Sequence, residues 1–138
     1  VSLVRQEARQ IAKEQGRRRV IIDGPPGIGC PTIASMTGAS KALVVTEPTV
    51  SGEHDLLRVL ALLHHFSIPC SVCVNKWDLN PDMTEQIEHR ARAENAAIVG
   101  RIRYDRSVTD SQMQERTPVD GCSQVAREIE SVWARIGS

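Results

Sequence analysis

The stretch Ala42–Leu56, ALVVTEPTVSGEHDL, changes its periodicity midway. Ala42 to Thr46 is a continuous apolar run, too short for a helix, and reads as a strand buried on both faces. Glu47-Pro48 breaks it. Ser51 can then cap a helix running to about His65, with Leu56, Leu60 and Leu63 on one face. A buried strand feeding an amphipathic helix is half of a β–α–β unit, and the alternation continues in both directions along the chain.

Downstream, Pro69 ends the connection and Cys70 to Val74 reads as a second such strand, closed by Asn75-Lys76-Trp77-Asp78. Residues 82–95 have the pattern of a polar helix, 97–102 that of a strand, and a loop separates it from a last helix. That helix runs over Gln124–Ile136 through Val125, Ile129, Val132 and Ile136. Upstream, Val20 to Ile22 is a short apolar run that ends at Asp23 and reads as a further buried strand. Residues 24–31, GPPGIGCP, are too dense in glycine and proline for regular structure, and a short helix over 32–36 follows, with Pro31 at its start. Residues 1–16 form an amphipathic helix with Val4, Ala8, Ile11 and Ala12 on one face and Gly16 as its stop. The expectation is one α/β domain over residues 1–138. It has three layers, a mostly parallel sheet of about four strands, and helices on both faces.

The composition agrees. The chain has 138 residues, 41% hydrophobic and 25% charged, enough for one core and no more. Its apolar runs are too short to span a membrane, and 17 basic against 17 acidic residues give no basic excess for nucleic acid. Cys30, Cys70, Cys73 and Cys122 are too few and scattered for a secreted disulfide framework, so a reducing cytoplasmic setting is expected. The chain opens on Val1, with neither a methionine nor a signal peptide, which suggests a segment of a longer protein.

Ligands of open α/β sheets bind beyond the carboxyl ends of the strands. Asp23 ends one predicted strand and is placed to hold Mg²⁺ through water. After it, the prolines have no N–H to offer, so Gly27, Ile28, Gly29 and Cys30 supply the donors for an anion. A stiff loop with a few aimed donors suits one terminal phosphate; the competing reading is a rigid turn whose acid caps the next helix. After Val74, the Asn75 amide can pair with a purine edge, the Lys76 stem can lie along a base, and Asp78 can accept from ring N–H groups. The plainer reading there is a polar turn with Asp78 or Asn80 as a helix cap. A phosphate-cradling G-x-x-x-x-G-K-[ST] loop is absent, because none of the three lysines, Lys13, Lys41 and Lys76, follows a glycine.

These residues resemble the second half of the MinD/ParA/CobQ group of P-loop ATPases. The closest likeness is to the MinD branch that carries an inserted ferredoxin domain. VIIDGPPGIGCP (20–31), ALVVTEPTVSGEHDL (42–56) and VNKWDLN (74–80) carry the likeness, with VGRIRYD (99–105) a looser match. The resemblance runs over residues 18–119, roughly three-quarters of the chain. The resemblance implies an ATP-dependent dimer. Asp23 would be the Walker B acid near Mg²⁺, and Gly24 to Gly29, with Gly27 and Ile28, the switch that senses the γ-phosphate. Asn75 would contact adenine beside Lys76 and Asp78, and Arg103, Tyr104 and Asp105 would close over the base. ATP and Mg²⁺ are the implied cofactors of the intact protein, with iron–sulfur clusters in the insert. The implied partners are a second copy and an iron–sulfur or electron-transfer protein.

The chain departs from the family in three ways. The Walker A loop is absent, as is the cluster-binding C-x₂-C-x₂-C-x₃-C-P run, and Arg103 and Arg106 stand where the family has prolines. The strand bearing Walker A lies, in the family, between those matching 18–23 and 42–46; without it, either the two flanking strands close up or the gap leaves an exposed edge that invites self-association, the outcome expected here. The chain alone is expected to be inactive. Two alternatives remain: a GTPase-type fragment that uses N-K-x-D for guanine, and a non-catalytic scaffold or regulatory domain. Among smaller signals, Cys70 and Cys73 should face opposite sides of a strand, and Cys30 reads as a buried small residue. His64-His65 suit a helix C-terminus, Glu53, His54 and Asp55 suit a helix N-terminus, and Trp133 reads as a docking anchor.

Overall fold

Three parallel strands form one sheet in the order β1-β2-β3: β1 Ala42–Thr46, β2 Cys70–Asn75 and β3 Ala97–Ile102. The computed structural model describes residues 2–121 and 123–137; Val1 and Cys122, both used in the sequence reading, lie outside them. Six α-helices are described: α1 Ser2–Glu14, α2 Cys30–Met36, α3 Val50–His65, α4 Pro81–Ala93, α5 Arg106–Met113 and α6 Gln124–Gly137. The chain divides into two units, Val1–Ser40 and Lys41–Ser138.

The second unit holds the sheet. β1 pairs with β2 from Ala42↔Cys70 to Thr46↔Val74. β2 pairs with β3 from Ser71↔Ala97 to Asn75↔Ile102, with a bulge where Val72↔Ile98 gives way to Cys73↔Gly100. One face of the sheet carries α3 and α4. There Leu56, Leu60, Val72, Val74, Ile87, Ala91 and Ala96 make the main core, with Cys70 packed against it. The other face carries α6, whose Val132 packs with Cys73 and Val99. Cys70 and Cys73 therefore lie on opposite faces, as period-two alternation requires. Burial, reinforced by the Glu128 charge, pushes the Cys73 thiol up to about 11, so it is a core residue and no nucleophile.

The helix ends follow from local chemistry. Thr49, not Ser51, caps α3: its Oγ1 accepts from Gly52 N at 2.9 Å. Asn80 caps α4 by accepting from Met83 N at 3.1 Å, with Pro81 next to it. His64 and His65 occupy the last turn of α3, where a cation suits the dipole. Glu53, expected to serve only the start of α3, is buried and also ties that helix to α4, accepting from Gln86 Nε2 at 2.9 Å and pairing with Arg90 Nε at 3.1 Å. α5 stands where a loop was expected. It has no buried residue, so it gives no apolar periodicity to read; Asp105 nucleates it by accepting from Ser107 N at 2.8 Å.

In the first unit two α1 arginines bond to carbonyls at the end of α2 and beyond it. Arg5 Nη1 donates to Ala34 O at 2.9 Å and Arg9 Nη2 to Gly38 O at 2.8 Å. The expected apolar face of α1 does not make this contact: Val4 and Ile11 are exposed. The strand expected over Val20–Ile22 does not form, and Ile21 is 76% exposed. This unit has no second strand among its described residues, and a lone extended segment has no ladder to satisfy its backbone. Cys30 is exposed rather than buried, because it opens α2 at the end of the Gly/Pro loop. Among the described residues no helix is long and apolar enough to cross a membrane.

Candidate functional site

The three strands of the second unit all run the same way, so the segments leaving their carboxyl ends lie side by side. After β1 the chain turns tightly into α3. Thr46 Oγ1 donates to Gly52 O at 3.0 Å, and the side chain of Glu47 reaches Lys76 Nζ at 2.7 Å. After β2, Lys76 takes a left-handed conformation, φ +54°, unusual for a residue with a side chain. That kink aims the lysine at Glu47 and starts a 3₁₀ turn over Trp77–Leu79, braced by Thr84 Oγ1 donating to Trp77 O at 2.9 Å. After β3, Arg103 is held at two points by Glu128 of α6. Its backbone N–H donates to Oε2 at 2.8 Å and its Nε to Oε1 at 2.9 Å.

Two of these segments are joined directly: Tyr104 N donates to Asp78 Oδ1 at 2.7 Å. The structure thus brings together Asn75, Lys76 and Asp78 with Arg103, Tyr104 and Asp105, as a turn and a connector fastened to each other. Asp105 acts as a cap. The Ser107 backbone N–H, ahead of the nearby Arg103 charge, holds its carboxyl below the usual range. The Asn75 backbone is in the ladder opposite Ile102, while its side-chain amide has no partner among the described residues. Tyr104 is 53% exposed.

Behind this row lies an ion cluster of which spacing along the chain shows only the i,i+4 pair of Glu88 with Arg92. Glu88 of α4 is buried, pairing with Arg101 Nε at 2.6 Å and Arg92 Nη2 at 3.0 Å. Arg101 lies over the Trp77 ring at 5.5 Å. Burial pulls the Glu88 carboxyl upward, but the Arg101 hydrogen bond and charge, with Arg92 behind them, hold it below its ordinary value. These contacts fix the start of the turn that carries Asp78.

In the first unit, Asp23 is exposed and has no partner among the described residues. Gly27 has φ +83°, which favours glycine. Gly24, Ile28 and Gly29 lie in the same irregular loop, and Gly29 O accepts from Thr32 N and Ile33 N at the start of α2. Among the described residues no group of three or more His, Cys, Asp or Glu could hold a metal by itself.

No family model matches the chain. Two uncharacterised proteins of Methanocaldococcus jannaschii are similar in sequence. MJ0578 is 39% identical over 69 residues, covering 50% of this chain and 25% of that protein. MJ0579 is 30% identical over 60 residues, covering 44% and 22%. The chain thus spans about a quarter of the length of the curated relatives it matches. In structure, MinD of Aquifex aeolicus superimposes with a TM-score of 0.74 at 24% identity, over 94% of this chain and 58% of that one. The fold is that of the MinD ATPases. The Aquifex MinC:MinD complex gives the same score over 94% and 56%. Pyrococcus horikoshii MinD bound to Mg-ADP gives 0.73 at 15% identity, over 92% and 54%. The α/β architecture expected from the alternation is therefore a MinD-like one, with three strands in the sheet.

Proposed function

We propose that this chain is part of a MinD-like ATPase and contributes the base-binding end of an adenine-nucleotide site. One observation carries the reading. The unengaged Asn75 amide stands at the carboxyl end of the central strand, in a turn fastened to Tyr104 through Asp78. Asn can pair bidentately with adenine, and half-exposed Tyr104 offers a ring for a base to stack on. The Mg-ADP on the Pyrococcus horikoshii MinD supports the choice of nucleotide and metal. In the first unit the same reading assigns Asp23 to Mg²⁺ through water and the loop Gly24–Gly29 to a terminal phosphate.

No lysine of the chain follows a glycine, so the phosphates lack the lysine-bearing cradle that supplies much of a P-loop site's grip. Weak binding follows, in about the millimolar range or about −4 kcal/mol, without hydrolysis. The reading extends to a cytoplasmic setting, to self-association, and, on the family resemblance alone, to an iron–sulfur or electron-transfer partner.

Amide NMR with added Mg-ATP and Mg-GTP tests it. ATP should move the resonances of Asn75, Lys76 and Tyr104 more than GTP does, and Asn75→Ala should abolish the shifts. A preference for GTP would transfer the site to the guanine reading of N-K-x-D. Hydrolysis that disappears with Asp23→Ala would overturn the inactivity of the chain. No shift with either nucleotide would favour a scaffold.

A further inference from the structure

The three polar side chains of Asn75-Lys76-Trp77-Asp78 are engaged differently. Lys76 Nζ sits on Glu47 Oε1 at 2.7 Å, beyond the end of β1. Asp78 Oδ1 accepts the backbone N–H of Tyr104 at 2.7 Å, in the connector that leaves β3. The same connector is tied one residue earlier, where Glu128 accepts from both the Arg103 N–H and its Nε, and one residue later, where Asp105 caps α5. Asp78 therefore places Tyr104 from the side of the turn, and the Asn75 amide is left over. The purines differ in what they offer such a set. Guanine presents two donors side by side, the ring N1–H and the 2-amino group, and a carboxylate meets them by accepting at both oxygens. Adenine has an acceptor at N1 and no donor at position 2, while its N6 amine and N7 match the amide of an Asn. A carboxylate that already holds a backbone N–H at one oxygen is fixed in direction and meets guanine with one oxygen rather than two.

We propose that Asp78 sets the choice of base in this site, as a latch and not as a base reader. It is a positioning residue: it holds the connector so that the half-exposed Tyr104 ring stands ready to stack. Being engaged, it gives guanine no bidentate partner, and selection passes to the Asn75 amide, which favours a 6-aminopurine. Lys76 adds to this, because a lysine held by Glu47 is withdrawn from the base as well. The inference rests on the adenine-nucleotide reading above and names the residue that makes the N-K-x-D pattern read adenine.

The test is a set of amide NMR titrations of the full chain with Mg-ATP, Mg-GTP and Mg-ITP. The base of ITP is guanine without its 2-amino group, and a site that hydrogen-bonds a group rejects the analogue lacking it. The parent chain should bind GTP and ITP alike, both more weakly than ATP. Asp78→Ala should weaken ATP roughly five-fold, the worth of one hydrogen bond to an exposed carboxylate. It should also speed exchange of the Tyr104 N–H in the nucleotide-free chain, with far-UV circular dichroism unchanged. Asp78→Asn keeps an accepting Oδ1 and should restore most of both. GTP bound more tightly than ITP, with the difference lost in Asp78→Ala, would make Asp78 a guanine reader and overturn the proposal. An ATP affinity indifferent to Asp78→Ala would overturn the latch and leave the adenine site standing. A parent chain that binds none of the three nucleotides would remove the adenine site itself, and the choice of base with it.

Discussion

Replacing Gly100 by alanine sets two opposing effects against each other at one atom. Gly100 sits in the β3 bulge, on the face covered by α6, and an added Cβ would lie 2.6 Å from Val132 Cγ2. Its φ lies outside the left-handed region, so alanine fits the backbone and should stabilise by about 0.4–1 kcal/mol through the unfolded chain. The overlap acts the other way. Val132 is buried among Cys73 and Val99 and is β-branched, so its methyl cannot swing aside and α6 must back off. Overpacking of this kind costs about 1–3 kcal/mol, so a net loss of about 1–2 kcal/mol is expected. At roughly 4 °C per kcal/mol, that is a visible fall in Tm.

Val132→Ala removes the colliding methyl. It costs stability by itself, through a cavity, but in that background Gly100→Ala should change sign and become stabilising. The coupling between the two sites should be about 1–3 kcal/mol. Urea unfolding read by circular dichroism and by the fluorescence of Trp133, next to Val132 on α6, measures all four corners of the cycle. Gly100→Ala having the same effect in both backgrounds would refute the argument that α6 packs on the glycine.

Glu88→Gln should cost on the order of 1 kcal/mol near neutral pH, discounted because Arg92 and Arg101 are partly exposed. The folded carboxyl lies below its ordinary 4.5, so its contribution is present above that value and lost as pH falls through the folded pKa. Stability of the parent and the variant should therefore converge in acid, and a gap that persists there would show that the charge is not what Glu88 contributes. Gly52→Ala should be harsher than an ordinary helix substitution. Its Cβ would collide with the Glu47 carbonyl oxygen and sit 3.0 Å from Thr46 Oγ1 and Thr49 Oγ1. A loss of about 1–3 kcal/mol is expected from the displaced turn, and wild-type stability would show that the turn yields freely.

The elements best read from sequence are those whose signal is local. β1 and β3 occur at the residues expected, and β2 extends one further, to Asn75, because a buried parallel strand shows itself as a short apolar run. The helices flanking them announce themselves by period and by Pro or Asn at their starts. The misreadings have physical causes. Val20–Ile22 has the composition of a strand, but pairing needs a neighbour, and composition does not supply one. α5 is held by a cap and buries nothing, so it is silent to any reading of hydrophobic pattern. Ser51 and Thr49 are both competent caps, and the choice fell to Thr49 through Gly52 N.

The candidate site divides the same way. Asn75, Lys76, Asp78 and Arg103–Asp105 were legible because residues that leave the carboxyl ends of parallel strands must gather at one edge. The sequence alone determined the strand–helix alternation, the chemistry at each strand end and the lack of a lysine-bearing phosphate loop, since each depends on neighbours along the chain. Which groups are spent and which remain available was decided only in three dimensions. Lys76 is paired with Glu47, Asp78 with the Tyr104 N–H, Arg103 with Glu128 and Asp105 with its own helix, while the Asn75 amide has no such tie among the described residues. The first three contacts join residues 25 or more positions apart, and a hydrogen bond between groups that far apart in sequence exists only once the sheet has set their distance.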